Sequence, residues 1–202
     1  SMFVALVISL PSGIISATRK YTVWDHGFRL MALLGVSLPN FWLGPLLIIL
    51  FSLKLGWLPV SGSEGFASLI LPSVTLGTGM AAILTRMTRA SLLETINEAY
   101  IITARAKGLG EFGVVVKHAL SNALIPIITV LGLQFGALLS GAIITETIFA
   151  WPGLGRLTIQ AINQRDYPLV QGAVLVIALS YVLINLLTDI VYALIDPRIR
   201  LE

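Results

Sequence analysis

The chain has 202 residues, 56% of them hydrophobic and 11% charged, with no cysteine, a net charge of +3 and a mean hydropathy of +0.92. A soluble domain averages about 45–50% apolar and about 25% charged residues, and a folded chain of this size still exposes roughly 30% of its surface. Water is therefore the wrong solvent for most of this protein. Disorder, a disulfide scaffold, Cys-ligated metal and an ordinary soluble enzyme are excluded, and an all-α polytopic membrane helix bundle is left.

A helix crosses the hydrocarbon core with about 20 mostly apolar residues. Five stretches qualify, over about 1–18, 30–53, 66–84, 123–148 and 169–195. The first has neither a basic leader nor a small-residue cleavage site, so it reads as a span and not a signal peptide. It is apolar from its first residue, which predicts a further span upstream. Ten basic residues (Arg19, Lys20, Arg29, Arg86, Arg89, Arg105, Lys107, Lys117, Arg198 and Arg200) fall on one side, and Lys54, Arg156 and Arg165 on the other. The positive-inside rule then places the C-terminus in the cytoplasm and Ser1 outside. Trp24 and Tyr192 mark the inner boundary, Trp57, Trp151 and Tyr167 the outer one, while Trp42 lies mid-span and is predicted to pack internally. No basic stripe with interleaved aromatics points to nucleic acid.

Within the second span Pro39, and near the start of the third Pro72, predict a kink or a break. Ser73, Gly77 and Ala81 recur every four residues in the third span, as do Gly132, Gly136 and Ser140 in the fourth. Such small-residue stripes let helix backbones approach closely, inside one bundle or between subunits. Asp189 in the fifth span is predicted to pair with Asn185, Thr188 or a basic loop residue. At the outer end of the fourth span Glu146 precedes Trp151-Pro152-Gly153-Leu-Gly155-Arg156. With Arg165 and Asp166, Glu146 and Arg156 either grip a delivering protein or a substrate terminus, or brace the outer loop.

The longest polar stretch, 86–121, is predicted to lie in the cytoplasm. Leu92, Leu93, Ile96, Ala99 and Tyr100 give one helical face; helix formers continue to Lys107, Gly108-Leu109-Gly110 breaks the run, and a second helix starts near Glu111. Two readings stay open: an amphipathic loop on the membrane surface, or a docking element in which Ala104 and Ala106, beside Arg105 and Lys107, enter a groove on a soluble partner. No phosphate-cradling Gly-x-x-x-x-Gly-Lys-Ser/Thr, Ser/His/Asp arrangement, acid pair or H-E-x-x-H is visible. His26 and His118 lie outside the spans, so no metal site is expected. No catalytic residue or bound cofactor is expected either, and the energy source must be another chain.

Several linked motifs carry a resemblance: Thr103-Ala-Arg-Ala-Lys-Gly-Leu109, His118-Ala-Leu-Ser-Asn-Ala-Leu-Ile-Pro126, Gly132-Leu-Gln-Phe-Gly136, Glu146-Thr-x-Phe-x-Trp-Pro-Gly-Leu-Gly-Arg-Leu157 and Arg165-Asp-Tyr-Pro-x-x-Gln-Gly172. Leu38-Pro39 with Phe41-Trp-x-Gly44, Gly56-Trp-Leu-Pro-x-Ser-Gly62 and Asp196-Pro-x-Ile-Arg200 extend it over nearly the whole chain. In this it resembles the inner-membrane permease subunit of bacterial peptide-type ABC importers, the dipeptide, oligopeptide, glutathione and nickel group. Of the wider family's Glu-Ala-Ala-x-x-x-Gly loop pattern, Ile102 and Thr103 replace the first two residues, while Ala104 and Gly108 remain. Of its later Ile-x-Leu-Pro, only Leu120 remains, between His118 and Ser121.

The resemblance implies a type I importer transmembrane domain over 1–202. It implies that Ala104, Arg105, Ala106, Lys107, Gly108, Leu109, Gly110 and Glu111 form the coupling helix that docks on an ATP-hydrolysing subunit. The implied partners are a second, paralogous permease, two ATP-binding subunits holding ATP and Mg²⁺, and an extracytoplasmic substrate-binding protein. The implied setting is the bacterial inner membrane, with di- or oligopeptides as cargo and glutathione or a nickel chelate as alternatives. A different class, the ion-driven secondary transporter, needs embedded charges at the midplane, for which Asp189 is the one candidate.

Overall fold

The computed structural model describes residues 1–195, except the side chains of 137, 139–141 and 192–195. Asp196, Arg198 and Arg200, and the side chains of Ser140 and Tyr192, lie outside the described residues. The helices in chain order are α1 Met2–Thr18, α2 Val23–Ser37, α3 Asn40–Leu47 with a π-helical continuation Ile48–Lys54, and α4 Ala67–Thr95. There follow α5 Ala99–Ala106, α6 Glu111–Gly113, which runs through the π-helical Val114–Ala119 into α7 Leu120–Ile148, then α8 Leu154–Gln164 and α9 Tyr167–Ile195.

The central helix is α4, with α1, α2, α3 and α7 packed around it, while α9 lies against α7 and α8. Small residues make the close approaches. A Cβ on Gly77 would stand 2.9 Å from the Ser1 carbonyl oxygen and 3.0 Å from the Val4 side chain, so α1 and α4 meet nearly backbone to backbone there. On α7, a Cβ at Gly132 would come within 2.8 Å of Thr188, and one at Gly136 would collide with the Tyr181 ring, both on α9. Ser73 is half-buried on α4. Between these contacts Ala5, Met80, Ala81, Leu84 and Ile127 form the midbody core.

Three departures from the sequence expectations have physical causes. The span expected over 30–53 is two helices bent by 102°. A proline drives the residue before it out of the helical region, and Leu38 (φ −85°, ψ 114°) and Pro39 (φ −68°, ψ 142°) are both extended. Pro72 leaves α4 unbroken, since one lost backbone bond near a helix end is tolerated in a membrane helix. The break puts Trp42 in the first turn of α3, 50% exposed instead of packed mid-span.

The polar stretch also divides differently. Arg86 and Arg89 end the apolar count of the third span but not its helix, which continues to Thr95. The helix expected to run to Lys107 stops there, and Glu98, extended at φ −69° and ψ 147°, starts α5 anew. The amphipathic α8 stands where the sequence suggested only an outer loop. Asp189 is exposed on α9 and has no side-chain hydrogen bond among the described residues, because Tyr181, Ile184 and Thr188 turn inward and Thr188 bonds the Ile184 carbonyl. The pairing expected for Asp189 with Asn185, Thr188 or a basic loop residue is therefore not made among the described residues.

Candidate functional site

The end of the bundle carrying most of the basic residues is capped by α5. Its inner face buries Ile101 and Ala104 against Ala17 of α1, Leu92 of α4, and Val114 and Ala119 of the stretch leading into α7. A second tie joins α5 to α7, the Asn122 amide donating to the Tyr100 hydroxyl at 2.9 Å. α5 is thus fixed to three long helices at once.

Gly108 ends α5 in the left-handed region, φ +81°. Its N–H donates to the Arg105 carbonyl at 2.9 Å and that of Leu109 to the Ala104 carbonyl at 3.4 Å, the paired bonds of a Schellman stop that favours glycine. Across the turn Arg105 donates from Nε and Nη2 to the Glu111 carboxylate at 2.7 and 3.2 Å. This guanidinium holds the Glu111 carboxyl below its ordinary value. Beside the charged Arg105, Lys107 and Glu111, three large apolar side chains are exposed around the turn, Phe112 at 82%, Ile102 at 60% and Leu109 at 46%.

This geometry revises the expected docking element. The helix spans 99–106, not 104–111, because the Schellman stop makes 107–110 a turn. Ala104 faces the core, whereas Arg105, Ala106, Lys107, Gly108, Leu109, Gly110 and Glu111 are exposed. Ile102 and Phe112 were missed by sequence reasoning. Phe112, a large apolar residue between Gly110 and Gly113, is a signal that could have found the second.

Also missed was an ionic clamp beside α5. Arg89 on α4 donates from Nε and Nη2 to Asp25 at 2.7 and 2.8 Å. The Ser16 hydroxyl and, at 3.0 Å, the Tyr21 backbone N–H complete the shell around a fully buried Asp25 carboxylate. The clamp joins α1, α2 and α4. An acid in a short basic segment hints at an ion pair, but nothing local names a partner 64 residues away.

At the opposite end Glu146 is engaged by its own chain. Its carboxylate accepts the Arg156 N–H at 2.8 Å in the first turn of α8, and its carbonyl accepts the Trp151 N–H at 2.8 Å. Side chains at Gly153 or Gly155 would run into that carboxylate. An acid at a helix N-terminus satisfies orphan N–H groups and complements the macrodipole, so the Trp151–Arg156 turn wraps a cap. Trp151 and Arg156 are half-buried and Pro152 exposed. Asp166 caps α9 through the Leu169 N–H at 3.1 Å, so both outer acids brace helix starts of their own chain.

Along α4 two cavities, of about 180 and 580 Å³, meet at Ile83. The first is lined by Asn40 of α3 and Gln134 of α7, the second by Arg29 of α2 and Arg86 and Arg89 of α4. They lie side by side along α4 with Ile83 in the wall of both. Among the described residues no group of acids and histidines is arranged to hold a metal.

The profile of the family described as the binding-protein-dependent transport system inner membrane component matches residues 9–201. Over 200 residues the chain is 48% identical to the glutathione transport system permease protein GsiC of Escherichia coli strain K12, covering 99% of this chain and 65% of that protein. The protein of the same name from Shigella flexneri serotype 5b is 47% identical over the same shares. The chain thus spans 65% of the length of these relatives. Among solved structures, the MetNI methionine ABC transporter in inward-facing conformations superposes with a TM-score of 0.75 at 21% identity, over 96% of this chain and 88% of that one. An amino acid ABC transporter with histidines superposes with a TM-score of 0.61 at 18% identity, over 98% and 88%. The chain belongs to the family of binding-protein-dependent transport system inner membrane components, and its all-α fold is that of the type I ABC importer transmembrane domain.

Proposed function

We propose that this chain is a permease subunit of an ATP-driven importer of short peptides, glutathione included, with its basic end in the cytoplasm of a bacterium. The observation that carries the reading is α5 and the turn after it: the inner face of α5 is locked to α1, α4 and α7, while Ile102 of α5, Leu109 of the turn and Phe112 of α6 are exposed. An apolar knob on a rigid lever suits docking into a groove of an ATP-hydrolysing subunit. Closure of two such subunits, each holding ATP and Mg²⁺, would drive α4 and α7 through α5 and open the path outward. A second permease, a paralogue, would face this one, and a substrate-binding protein would deliver cargo at the α8 end. Glutathione enters because relatives at 48% identity bear that name; dipeptides, longer peptides and nickel chelates are the competing cargoes.

The test is the assembled importer in proteoliposomes, with Leu109→Asp and Phe112→Asp introduced together. Losing such contacts costs about 2 kcal/mol or more, about thirtyfold in affinity. ATP-driven glutathione uptake and co-purification of the ATPase should fall together, with membrane insertion unchanged. Uptake by this chain without an ATPase subunit would instead establish an ion-driven transporter. Uptake of dipeptide, longer peptide or nickel chelate but not glutathione would reassign the cargo.

A further inference from the structure

We propose that the groove along α4 is an anion-selecting subsite, taking small peptides that carry one more carboxylate than amine, as glutathione does. Arg29 and Arg86 receive a carboxylate at the basic end, and Asn40 and Gln134 serve peptide amides deeper in. The inference rests on the permease reading and adds to it the charge of the cargo.

Four observations support it. The two cavities share Ile83, so the amide-lined one and the arginine-lined one stand next to each other along α4. None of the lining residues is acidic. Of the three arginines at the mouth, Arg89 is neutralised by Asp25, whereas Arg29 and Arg86 are exposed and make no ion pair among the described residues. Gln134 is partly buried, and its side-chain nitrogen has no hydrogen-bond partner, a donor that a passing peptide carbonyl or water must satisfy. Arginine also has the forked donor geometry that binds a carboxylate through two bonds. The same chemistry would hold a lipid phosphate at the membrane surface, so the test separates a cargo path from a headgroup site.

These 202 residues contain no cysteine, so Ile83→Cys places one reporter thiol where the two cavities meet. In the assembled importer in nanodiscs, its labelling is read by mass spectrometry with an anionic and a cationic methanethiosulfonate, each normalised to a free thiol. Two unit charges at about 8 Å in a watery groove change local ion concentrations by about fivefold before screening. The anion is enriched and the cation depleted, so after screening over about one Debye length the anionic reagent should still react about fourfold faster than the cationic one, and the Arg29→Gln/Arg86→Gln pair should bring the two rates within about twofold. Arg29→Lys with Arg86→Lys should keep the preference, showing that charge and not disruption is read. S-methylglutathione, which has no thiol to consume the reagent, should slow labelling at least threefold, and its diamide should not.

Equal rates in the parent, or a preference unchanged by removing both arginines, would overturn the proposal. So would a charge preference without protection by S-methylglutathione, since that result makes the arginines a headgroup site. Labelling is read without transport, so loss of ATP-driven uptake refutes the permease reading while labelling still judges the groove.

Discussion

Replacing Asp25 with alanine removes the one acceptor that holds α1, α2 and α4 together at the basic end. The carboxylate is fully buried and takes two bonds from Arg89, one from Ser16 and one from the Tyr21 backbone. The Arg89 side chain, only 19% exposed, would be left as an unpaired buried cation. Breaking one partner of a buried pair costs about 3–5 kcal/mol. At about 2–4 °C per kcal/mol for a chain of this size, the midpoint should fall by about 10 °C. The assay is thermal unfolding of the assembled complex in detergent, followed by tryptophan fluorescence. The double variant Asp25→Ala/Arg89→Met carries no stranded charge, so it should lose less than Asp25→Ala alone, a non-additivity that a double-mutant cycle isolates. A loss below about 1 kcal/mol, the range of an exposed pair, or simple additivity would refute the assignment of Asp25 as a buried tie.

Glu146→Ala should unfasten the first turn of α8 at a cost of about 1 kcal/mol, read as at least fivefold faster amide exchange at Leu154–Leu157 with α7 unaffected. Gly136→Ala should push Tyr181 and α9 off α7 at about 1–3 kcal/mol, seen as lower detergent resistance. Tyr181→Ala in the same chain should recover part of it.

Sequence periodicity sees what lipid sees, and it served well where lipid or close packing decides. The apolar runs that became α1, α4, α7 and α9 were visible, and so were Gly77, Gly132 and Gly136, because spacing by four is a local property. Interactions between distant segments were not. Arg89 reads as the end of a span until Asp25 is known to meet it. The stop at Thr95 lets Leu92 and Ile101 share one core cluster with Ala17, Val114 and Ala119, three residues that no window over 86–107 contains. Ala104 fits either face of a short helix, and only its burial with Ala17 of α1 and Val114 of the stretch leading into α7 turns it inward. The Gly108 stop was legible because a left-handed residue is a local demand. The start of α8 was hidden, since Trp151-Pro-Gly-Leu-Gly reads as turn until the Glu146 cap supplies what a helix end lacks.

The break at Leu38–Pro39 bears on hydration. Trp42 and Leu43 both find the Pro39 carbonyl, but helix ends leave other backbone groups unmet, and hydrocarbon cannot solvate them. Asn40 lines a cavity beside that break, which offers water a way to those groups. A wet crevice carries bulk-like potential inward, and the membrane voltage then drops across the remaining apolar layer. A full crossing is worth about 2.3 kcal/mol per charge per 100 mV; an anion resting beside Asn40 has already passed part of that field. Water at that break would make the electrical barrier in this chain thinner than the bilayer around it.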